Sequence, residues 1–294
     1  MLCPVFGHRC ELVRRWAKAV GGGLIVHFRG EPNVKTGFLL SVFDMVDVGD
    51  VDVVQQAAER TDRVVAQVLS DDAVVSLTGR KPVVPAIERV EIVGAMRQVA
   101  DAAIFDPAGP LKSGPRDVVY GRTDVSVGTV PVDKWLEPRQ IVVPSDELGQ
   151  TARLSSTGGV LGYVPGAWDR FHIGHLNLLK RARQHCQRLV VGVVTDDALF
   201  QAKGKYPMVP LRERMQVVAA MDIVDAVVVD FSSSKLAAWN QVHFDVLFKG
   251  DDWQGTPKGN RLEAEMASVG ASVHYFPYTA HTSSTALRQI LASR

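Results

Sequence analysis

The sequence predicts an α/β protein with parallel sheets, made of two tandem copies of one unit, of which the first copy is degenerate. Residues 160–183 contain a short apolar segment, a tight turn and then apolar residues at helical spacing. This order is typical of a strand–turn–helix unit. The second half of the chain also repeats the first half, because Phe43-Asp44 aligns with Trp168-Asp169 at an offset of 125 positions. Such a repeat indicates an internal duplication.

The duplication involves residues of several chemical types and needs no gap from Asp44 to about Val99. Identical residues at this offset are Asp44 and Asp169, Asp71 and Asp196, Gly79 and Gly204, Pro82 and Pro207, Pro85 and Pro210, Glu88 and Glu213, Arg89 and Arg214, and Met96 and Met221. We therefore assign residues 37–106 to a truncated first copy and residues 159–294 to the copy that carries the chemistry. Residues 1–36 are expected to be an N-terminal extension packed on the first copy. The Pro-, Gly- and Ser-rich residues 107–158 are expected to be a linker or cap.

Two histidines three positions apart mark the candidate site of the second copy. His172 and His175 lie where the apolar strand gives way to a helix, so both imidazoles face one side of the first helical turn. The helix start offers unpaired backbone N–H groups to an anion, and Gly174 allows close approach. The pair can therefore donate hydrogen bonds to a phosphoryl group that gains charge. A surface pair or half of a metal site is the alternative for a His-x-x-His sequence alone.

Two further segments support a phosphate or nucleotide site. Residues 244–253 read as a buried strand that ends in the acidic, glycine-led sequence Lys-Gly-Asp-Asp-Trp, where parallel sheets place ligand contacts. The hydroxyl-rich sequence at 281–285 precedes an apolar helix. Capping of that helix alone explains the hydroxyl groups equally well.

Residues from about 160 to 291 resemble the cytidylyltransferase family of the HxGH nucleotidyltransferase superfamily, most closely its glycerol-3-phosphate enzymes. The tandem layout resembles the ethanolamine-phosphate enzymes. The segments that carry the resemblance are 166–175, 209–214, 249–253 and 279–285. The resemblance implies a Rossmann-like parallel sheet and transfer of CMP from CTP, with Mg²⁺, to a small phosphate- or phosphonate-bearing acceptor.

The resemblance also implies roles for individual residues. His172, His175, Lys203 and Lys205 would be catalytic, the histidines at the α-phosphoryl group and the lysines as phosphate clamps. The nucleotide would be bound by Gly166, Ala167, Trp168, Asp169, Gly174, Arg214, Gly250, Asp251, Asp252, Trp253, Thr282, Ser283, Ser284 and Thr285. The closing motif departs from the family pattern, since Tyr278 stands where arginine is usual and His281 where glycine is usual. This loss of a fixed positive charge puts the substrate in doubt more than the reaction. Adenylyl transfer from ATP and nucleotide binding without catalysis are the alternatives.

The first copy lacks this chemistry. Asp47 and Asp50 stand where the second copy has His172 and His175, and carboxylates repel a phosphate. We also find no counterpart of Lys-Gly-Asp-Asp-Trp in this copy. Asp47 and Asp50 have no accompanying ligand cluster, so no protein-bound metal is expected.

The composition narrows the possible partners. The 33 basic residues balance 32 acidic ones, which argues against a nucleic-acid surface or a polybasic membrane patch. No apolar run reaches transmembrane length, and the start of the chain lacks a secretory signal. The three cysteines lack metal-site spacing, so a cytoplasmic protein with small ligands is expected. We expect either a homodimer or an internal pseudo-dimer of the two copies.

Overall fold

The computed structural model describes residues 34–107, 111, 114–125, 127–128, 130–139, 158–231 and 234–277. Each copy contains one parallel five-stranded sheet. The strands are β1 (Thr36–Ser41), β2 (Arg63–Leu69), β3 (Val99–Phe105), β4 (Val118–Arg122), β5 (Lys134–Leu136), β6 (Leu161–Gly166), β7 (Arg188–Val194), β8 (Ala226–Asp230), β9 (Val246–Gly250) and β10 (Ser272–Phe276). The spatial order is β3-β2-β1-β4-β5 in the first sheet and β8-β7-β6-β9-β10 in the second, so the two topologies are the same.

Helices connect the parallel strands, as crossover connections require. The described helices are α1 (Val48–Ala58), α2 (Asp71–Thr78), α3 (Ala86–Gly94), α4 (Ile173–Gln184), α5 (Asp196–Lys203), α6 (Leu211–Ala219), α7 (Lys235–Val242) and α8 (Pro257–Ala267). Near-continuous apolar runs such as 188–194 are buried on both faces of the sheet, as expected for parallel strands. The predicted Rossmann-like α/β fold in two copies is confirmed. No helix among the described residues is long and apolar enough to cross a membrane.

The first copy extends past residue 106, because two further strands, β4 and β5, complete its sheet. β1 pairs with β4 from Gly37 and Val118, and β6 pairs with β9 from Gly162 and Val246. β4 is therefore the counterpart of β9, at an offset of 128 rather than 125. Both β4 and β5 come from the segment predicted to be a linker or cap. β4 corresponds to the strand that carries Lys-Gly-Asp-Asp-Trp in the second copy, a relation that the offset of 125 does not show. The connections on either side of β4 are shorter than those on either side of β9, and this difference in length concealed the shifted alignment.

The two copies pack against each other through equivalent turns, 95–97 and 220–222. Met96 and Met221 pair as an antiparallel bridge, and both side chains are buried. These residues correspond at the offset of 125, so the contact lies on a local twofold axis. One continuous apolar core extends across both copies. The flanking backbone hydrogen bonds are Arg97 N–H to the Ala220 carbonyl (2.8 Å) and Asp222 N–H to the Ala95 carbonyl (2.9 Å).

Candidate active site

The site of the second copy begins in a tightly wound loop between β6 and α4. Trp168 and Arg170 have φ angles of 57° and 53°, a left-handed conformation that is uncommon for residues with a side chain. Trp168 is buried, and its indole N–H donates to the Gly192 carbonyl at 3.0 Å. A side chain on Gly166 would collide with the Trp168 ring. Packing of the buried Trp168 side chain therefore fixes the loop, and its predicted contact with the nucleotide stays a prediction.

His172 caps the N-terminus of α4. Its Nδ1 accepts a hydrogen bond from the Gly174 N–H at 3.1 Å. Nδ1 is thus the acceptor nitrogen, so in the neutral ring the proton lies on Nε2. Burial lowers the pKa of His172 to about 4. His172 is therefore a neutral hydrogen-bond donor at pH 7.

His175 stacks on His172 one turn into α4. The two ring centroids are 3.8 Å apart with an interplanar angle of 24°. The Trp168 ring packs against His175, with ring centroids 5.1 Å apart. Burial, His172 and Lys203 lower the pKa of His175 well below its ordinary value. Its buried Nδ1 has no hydrogen-bond partner among the described residues. Most buried polar side-chain atoms are hydrogen-bonded, and a catalytic role is one explanation for an atom that is not.

Asp169 holds the neighbouring loop in place. Its carboxylate accepts hydrogen bonds from the backbone N–H groups of Met208 and Val209, both at 3.0 Å. Asp44 makes the same contacts to Val83 and Val84 in the first copy. Because both copies share this arrangement, Asp169 positions the loop that follows Lys205 through its backbone.

Arg214 is buried and joins three loops of the site. Its guanidinium donates to the carbonyls of Ala167, Val194 and Val209 and forms an ion pair with Asp196 at 2.6 Å. In the structure the Arg214 guanidinium is engaged by these loops, and its predicted role in binding the nucleotide stays a prediction. Its counterpart Arg89 donates to the Val42 and Val84 carbonyls and to Asp71.

The predicted phosphate lysines lie on the exposed side of the site. Lys203 ends α5, and both Lys203 and Lys205 are exposed. Lys203 is close enough to His175 and Lys249 to lower the pKa of each. The structure therefore brings Lys203 together with the histidines, and it places Lys205 in the loop that Asp169 holds.

The end of β9 forms the opposite side of the site. The Asp251–Trp253 segment is a single turn of 3₁₀ helix that begins after Gly250. The Lys249 ammonium lies 4.0 Å from the centroid of the Trp253 ring, a cation–π distance. Burial, followed by the nearby Lys235, lowers the pKa of Lys249 to about 8.

A buried polar network adjoins Lys249. Asp230, at the end of β8, accepts hydrogen bonds from the Tyr163 hydroxyl at 3.1 Å and from the Lys235 ammonium at 2.6 Å. No sequence motif marks any of these residues. Tyr163 and Asp230 lie in apolar strand segments, and a strand pattern alone does not show that their side chains meet. The remaining predicted residues, Thr282, Ser283, Ser284 and Thr285, lie outside the described residues.

Comparison with known proteins identifies the family. A sequence model described as cytidylyltransferase-like matches the chain twice, over residues 38–157 and 163–290. The chain belongs to this family. The two matches agree with two copies of one fold and include both candidate histidines.

Several relatives match about half of the chain or less. The bifunctional protein HldE of Hyphomonas neptunium is 32% identical over 151 residues, which cover 50% of this chain and 30% of the relative. HldE of Halorhodospira halophila is 37% identical over 130 residues, covering 44% and 27%. The ethanolamine-phosphate cytidylyltransferase of Arabidopsis thaliana is 36% identical over 113 residues, covering 37% and 27%. The chain thus spans less than a third of the length of each of these relatives.

Solved structures give a weaker likeness. The lipopolysaccharide core biosynthesis protein from Thermoplasma volcanium GSS1 superimposes with a TM-score of 0.37 at 20% identity, covering 42% of this chain and all of that one.

The first cytidylyltransferase-like copy has an internal ion-pair network at the equivalent place. The Arg122 guanidinium contacts Asp47 at 2.9 Å, Asp50 at 2.8 Å and Asp124 at 2.6 Å. Burial and the neighbouring Asp47 raise the pKa of Asp50 to about 6, against the opposing effect of Arg122. Arg122 lies against Gly49, where an added Cβ would come within 2.6 Å of its guanidinium. In this copy an arginine paired with three aspartates therefore lies at the start of α1.

Proposed function

We propose that this protein transfers CMP from CTP to a small acceptor that carries a phosphate or phosphonate group, with release of pyrophosphate. The observation that carries the proposal is the stacked pair of neutral imidazoles, His172 and His175, at the N-terminus of α4. Neutral imidazoles donate hydrogen bonds without giving up a proton. They suit a reaction in which charge moves between phosphoryl oxygens.

The proposed reaction is a direct displacement. An oxygen of the acceptor dianion attacks the α-phosphorus of CTP and forms a new P–O bond. The bond from the α-phosphorus to the bridging oxygen breaks, and its electron pair leaves with pyrophosphate. No proton has to be removed, because the attacking oxygen is already ionised. The site contributes positioning, the dipole of α4 and hydrogen bonds from the two histidines.

Mg²⁺ enters this proposal as part of the nucleotide substrate, whose triphosphate it neutralises. Among the described residues, no group of three His, Cys, Asp or Glu side chains is arranged to hold a metal. We therefore derive no step from a protein-bound ion. Lys203 and Lys205 are the described cations available to the triphosphate from the exposed side.

The relatives support two candidate nucleotides, CTP and ATP. The ethanolamine-phosphate cytidylyltransferase of Arabidopsis thaliana supports CTP, as does the Asp251–Trp253 segment beside the site. The HldE relatives support adenylyl transfer from ATP as the second candidate. We propose CTP and test both nucleotides.

The oligomeric state belongs to the same proposal. The local twofold contact between 95–97 and 220–222 supports an internal pseudo-dimer, since each copy meets the other through the same turn. Gel filtration with light scattering is expected to give the mass of one chain. A stable homodimer would count against this internal arrangement.

Pyrophosphate release is the decisive assay for the reaction. CTP and ATP are supplied separately with Mg²⁺, and the acceptors are glycerol 3-phosphate, phosphoethanolamine, a sugar phosphate and a small phosphonate. His172→Ala and His175→Ala are each expected to lower kcat at least about a hundredfold, the scale of one lost preorganised donor. His243→Asn is the matched control, because the exposed His243 precedes β9 at the opposite end of the sheet.

The outcomes separate the candidates. Turnover with ATP alone would replace the cytidylyl proposal by the adenylyl one. Undiminished turnover in folded His175→Ala would refute the role of the histidines. Tight CTP binding without release for any acceptor would favour nucleotide binding without catalysis.

A further inference from the structure

The strongest unexplained feature of the site is the environment of Lys249. Its ammonium group is partly buried and forms no ion pair with a described residue, although Trp253 packs against it at 4.0 Å. Lys235 and Lys203 act on it as neighbouring positive charges, and Asp252 and Asp230 act on it as neighbouring negative charges. Bringing cations together away from water is unfavourable unless an anion compensates them. The three lysines outnumber the two carboxylates, so the cluster keeps an excess positive charge that favours binding of an anion.

Lys235 is held toward Lys249 by a buried carboxylate. The Lys235 ammonium contacts Asp230 at 2.6 Å, and the Tyr163 hydroxyl donates to the same oxygen. Asp230 is only 2% exposed, so the contact is well shielded from water. Asp230 and Tyr163 thus fix the position of Lys235 at the start of α7.

The first copy supplies an internal comparison. The positions of Tyr163 and Asp230 are taken there by the buried Phe38 and Phe105, and Gly121 corresponds to Lys249 through the pairing of β4 with β9. The polar network is thus absent from the copy in which aspartates replace both histidines. A purely structural network would have no reason to depend on the histidines, whereas a ligand subsite of the same reaction would.

The place of the cluster in the fold separates it from the triphosphate. β9 and β7 flank β6 on opposite sides, so the crevice at the ends of β6 and β9 is the topological switch point of the sheet. An in-line displacement requires the attacking and leaving groups on opposite sides of the α-phosphorus. Exposed Lys203 and Lys205 suit pyrophosphate that leaves with Mg²⁺. The more enclosed Lys235 and Lys249 suit a small dianion that is held for attack.

We propose that Lys249 and Lys235 form the subsite that binds the phosphate or phosphonate group of the acceptor, with Asp230 and Tyr163 as positioning residues. The assignment of this anion to the acceptor rests on the proposed function. The presence of an anion subsite at these lysines does not.

Calorimetric titration of the full chain with two probes tests the subsite. The probes are inorganic phosphate, as the smallest acceptor mimic, and the Mg²⁺ complex of α,β-methylene-CTP, which cannot react. Lys249→Met is expected to weaken phosphate binding at least about tenfold, the scale of one charged contact. It should change the affinity for the nucleotide analogue less than about threefold. Lys249→Arg should retain most phosphate affinity, and Lys134→Gln, at an exposed lysine of β5, should change neither.

Lys235 is tested without leaving Asp230 unpaired. The double variant Asp230→Asn/Lys235→Met removes both charges and keeps an acceptor for the Tyr163 hydroxyl. It should also weaken phosphate binding while leaving the melting temperature close to that of the wild type. Equal weakening of phosphate and nucleotide would overturn the assignment to a separate subsite.

The pH profile gives a second readout. Lys249 attracts phosphate only while it is protonated, and its pKa is about 8. Phosphate affinity should therefore fall about tenfold between pH 7.5 and pH 9.5. In Lys249→Arg the fall should disappear, because arginine stays charged. The charged groups facing Lys249 are Lys235, Asp230, Lys203 and Asp252. If phosphate affinity falls by the same factor in Lys249→Arg, the titrating group is not Lys249, and its role is overturned.

The outcomes distinguish this proposal from the proposed function. If no acceptor yields pyrophosphate but phosphate binds in a Lys249-dependent way, cytidylyl transfer fails and the anion subsite stands. If turnover occurs and Lys249→Met leaves both phosphate affinity and the KM of the acceptor unchanged, the subsite fails and the reaction stands. Failure of wild-type protein to bind phosphate would likewise overturn the subsite.

Discussion

Substitution of Asp169 by alanine should destabilise the second copy and disable its site, whereas the same change at Asp44 should only destabilise. Each carboxylate accepts backbone N–H groups from two consecutive residues, at distances of 2.8–3.0 Å for the shortest contacts. A hydrogen bond to a charged group contributes about 1.5–3 kcal/mol, and its loss leaves a shielded N–H unpaired. Allowing for partial relaxation, each variant should lose about 3 kcal/mol.

This loss predicts a matched fall in melting temperature for the two variants. For a chain of this size, about 3 kcal/mol corresponds to roughly 6–10 °C. Thermal unfolding is followed by circular dichroism, and pyrophosphate release is then measured well below both transitions. Asp169→Ala should lower turnover because the loop that follows Lys205 is released, while Asp44→Ala should keep wild-type turnover. Equal losses of turnover in both variants, or unchanged melting temperatures, would refute this account of the two aspartates.

Two other predictions concern packing and charge in the interior. Asp50→Asn should change the pH dependence of stability, because the pKa of Asp50 is raised to about 6 while an unfolded aspartate titrates near 4. The stability that comes from protonating Asp50 is fully present below about pH 4 and is lost as the pH rises through about 6, a difference of about 3 kcal/mol. Thermal unfolding of both proteins at pH 4 and pH 7 checks the sign; a constant difference between them would contradict it. Met221→Ala should cost about 3 kcal/mol in urea unfolding, since Met221 is fully buried between the copies. Met208→Ala, at a half-exposed methionine, should cost less than about 0.5 kcal/mol, and similar costs for the two would argue against the shared core.

The sequence predicted those features in which a local pattern determines the structure. The duplication at an offset of 125 correctly implied that Arg89 and Arg214 occupy equivalent places, and both are buried between loops. It could not indicate the partners of these arginines, because backbone carbonyls carry no sequence signal. The histidine pair could be found from the sequence since strand, turn and helix start are contiguous there. The Tyr163, Asp230 and Lys235 network could not, because its members come from separate strands that only the folded sheet brings together.

The strands of the first copy show a second limit of sequence reasoning. Pairing between β1 and β4 is set by the register of the sheet and does not require a constant sequence offset. The sequence repeat is recognised only while the offset stays at 125. A change of three positions in the connection before β4 was enough to hide the relation of Val118–Arg122 to Val246–Gly250. Connections tolerate such changes at small cost, because loop-closure entropy depends only weakly on length. The first copy therefore keeps the counterpart of β9 although the sequence alignment at an offset of 125 ends before it.

The differences between the two copies separate residues that build the unit from residues that perform its chemistry. The aspartate that accepts two backbone N–H groups and the buried arginine occur in both copies with equivalent partners. We therefore regard both as requirements of the fold. In the first copy, Arg122 lies at the start of α1 between Asp47 and Asp50. A guanidinium with two carboxylates there satisfies its charge within the protein. The two neutral imidazoles at the start of α4 bring no charge of their own, so in our proposal the phosphate comes from a ligand. The same start of helix thus holds an internal ion-pair network in one copy and, in our proposal, the catalytic histidines in the other. The two arrangements differ at three pairs of equivalent positions, 47 and 172, 50 and 175, and 122 and 250. Substitutions at these positions would be needed to convert one arrangement into the other.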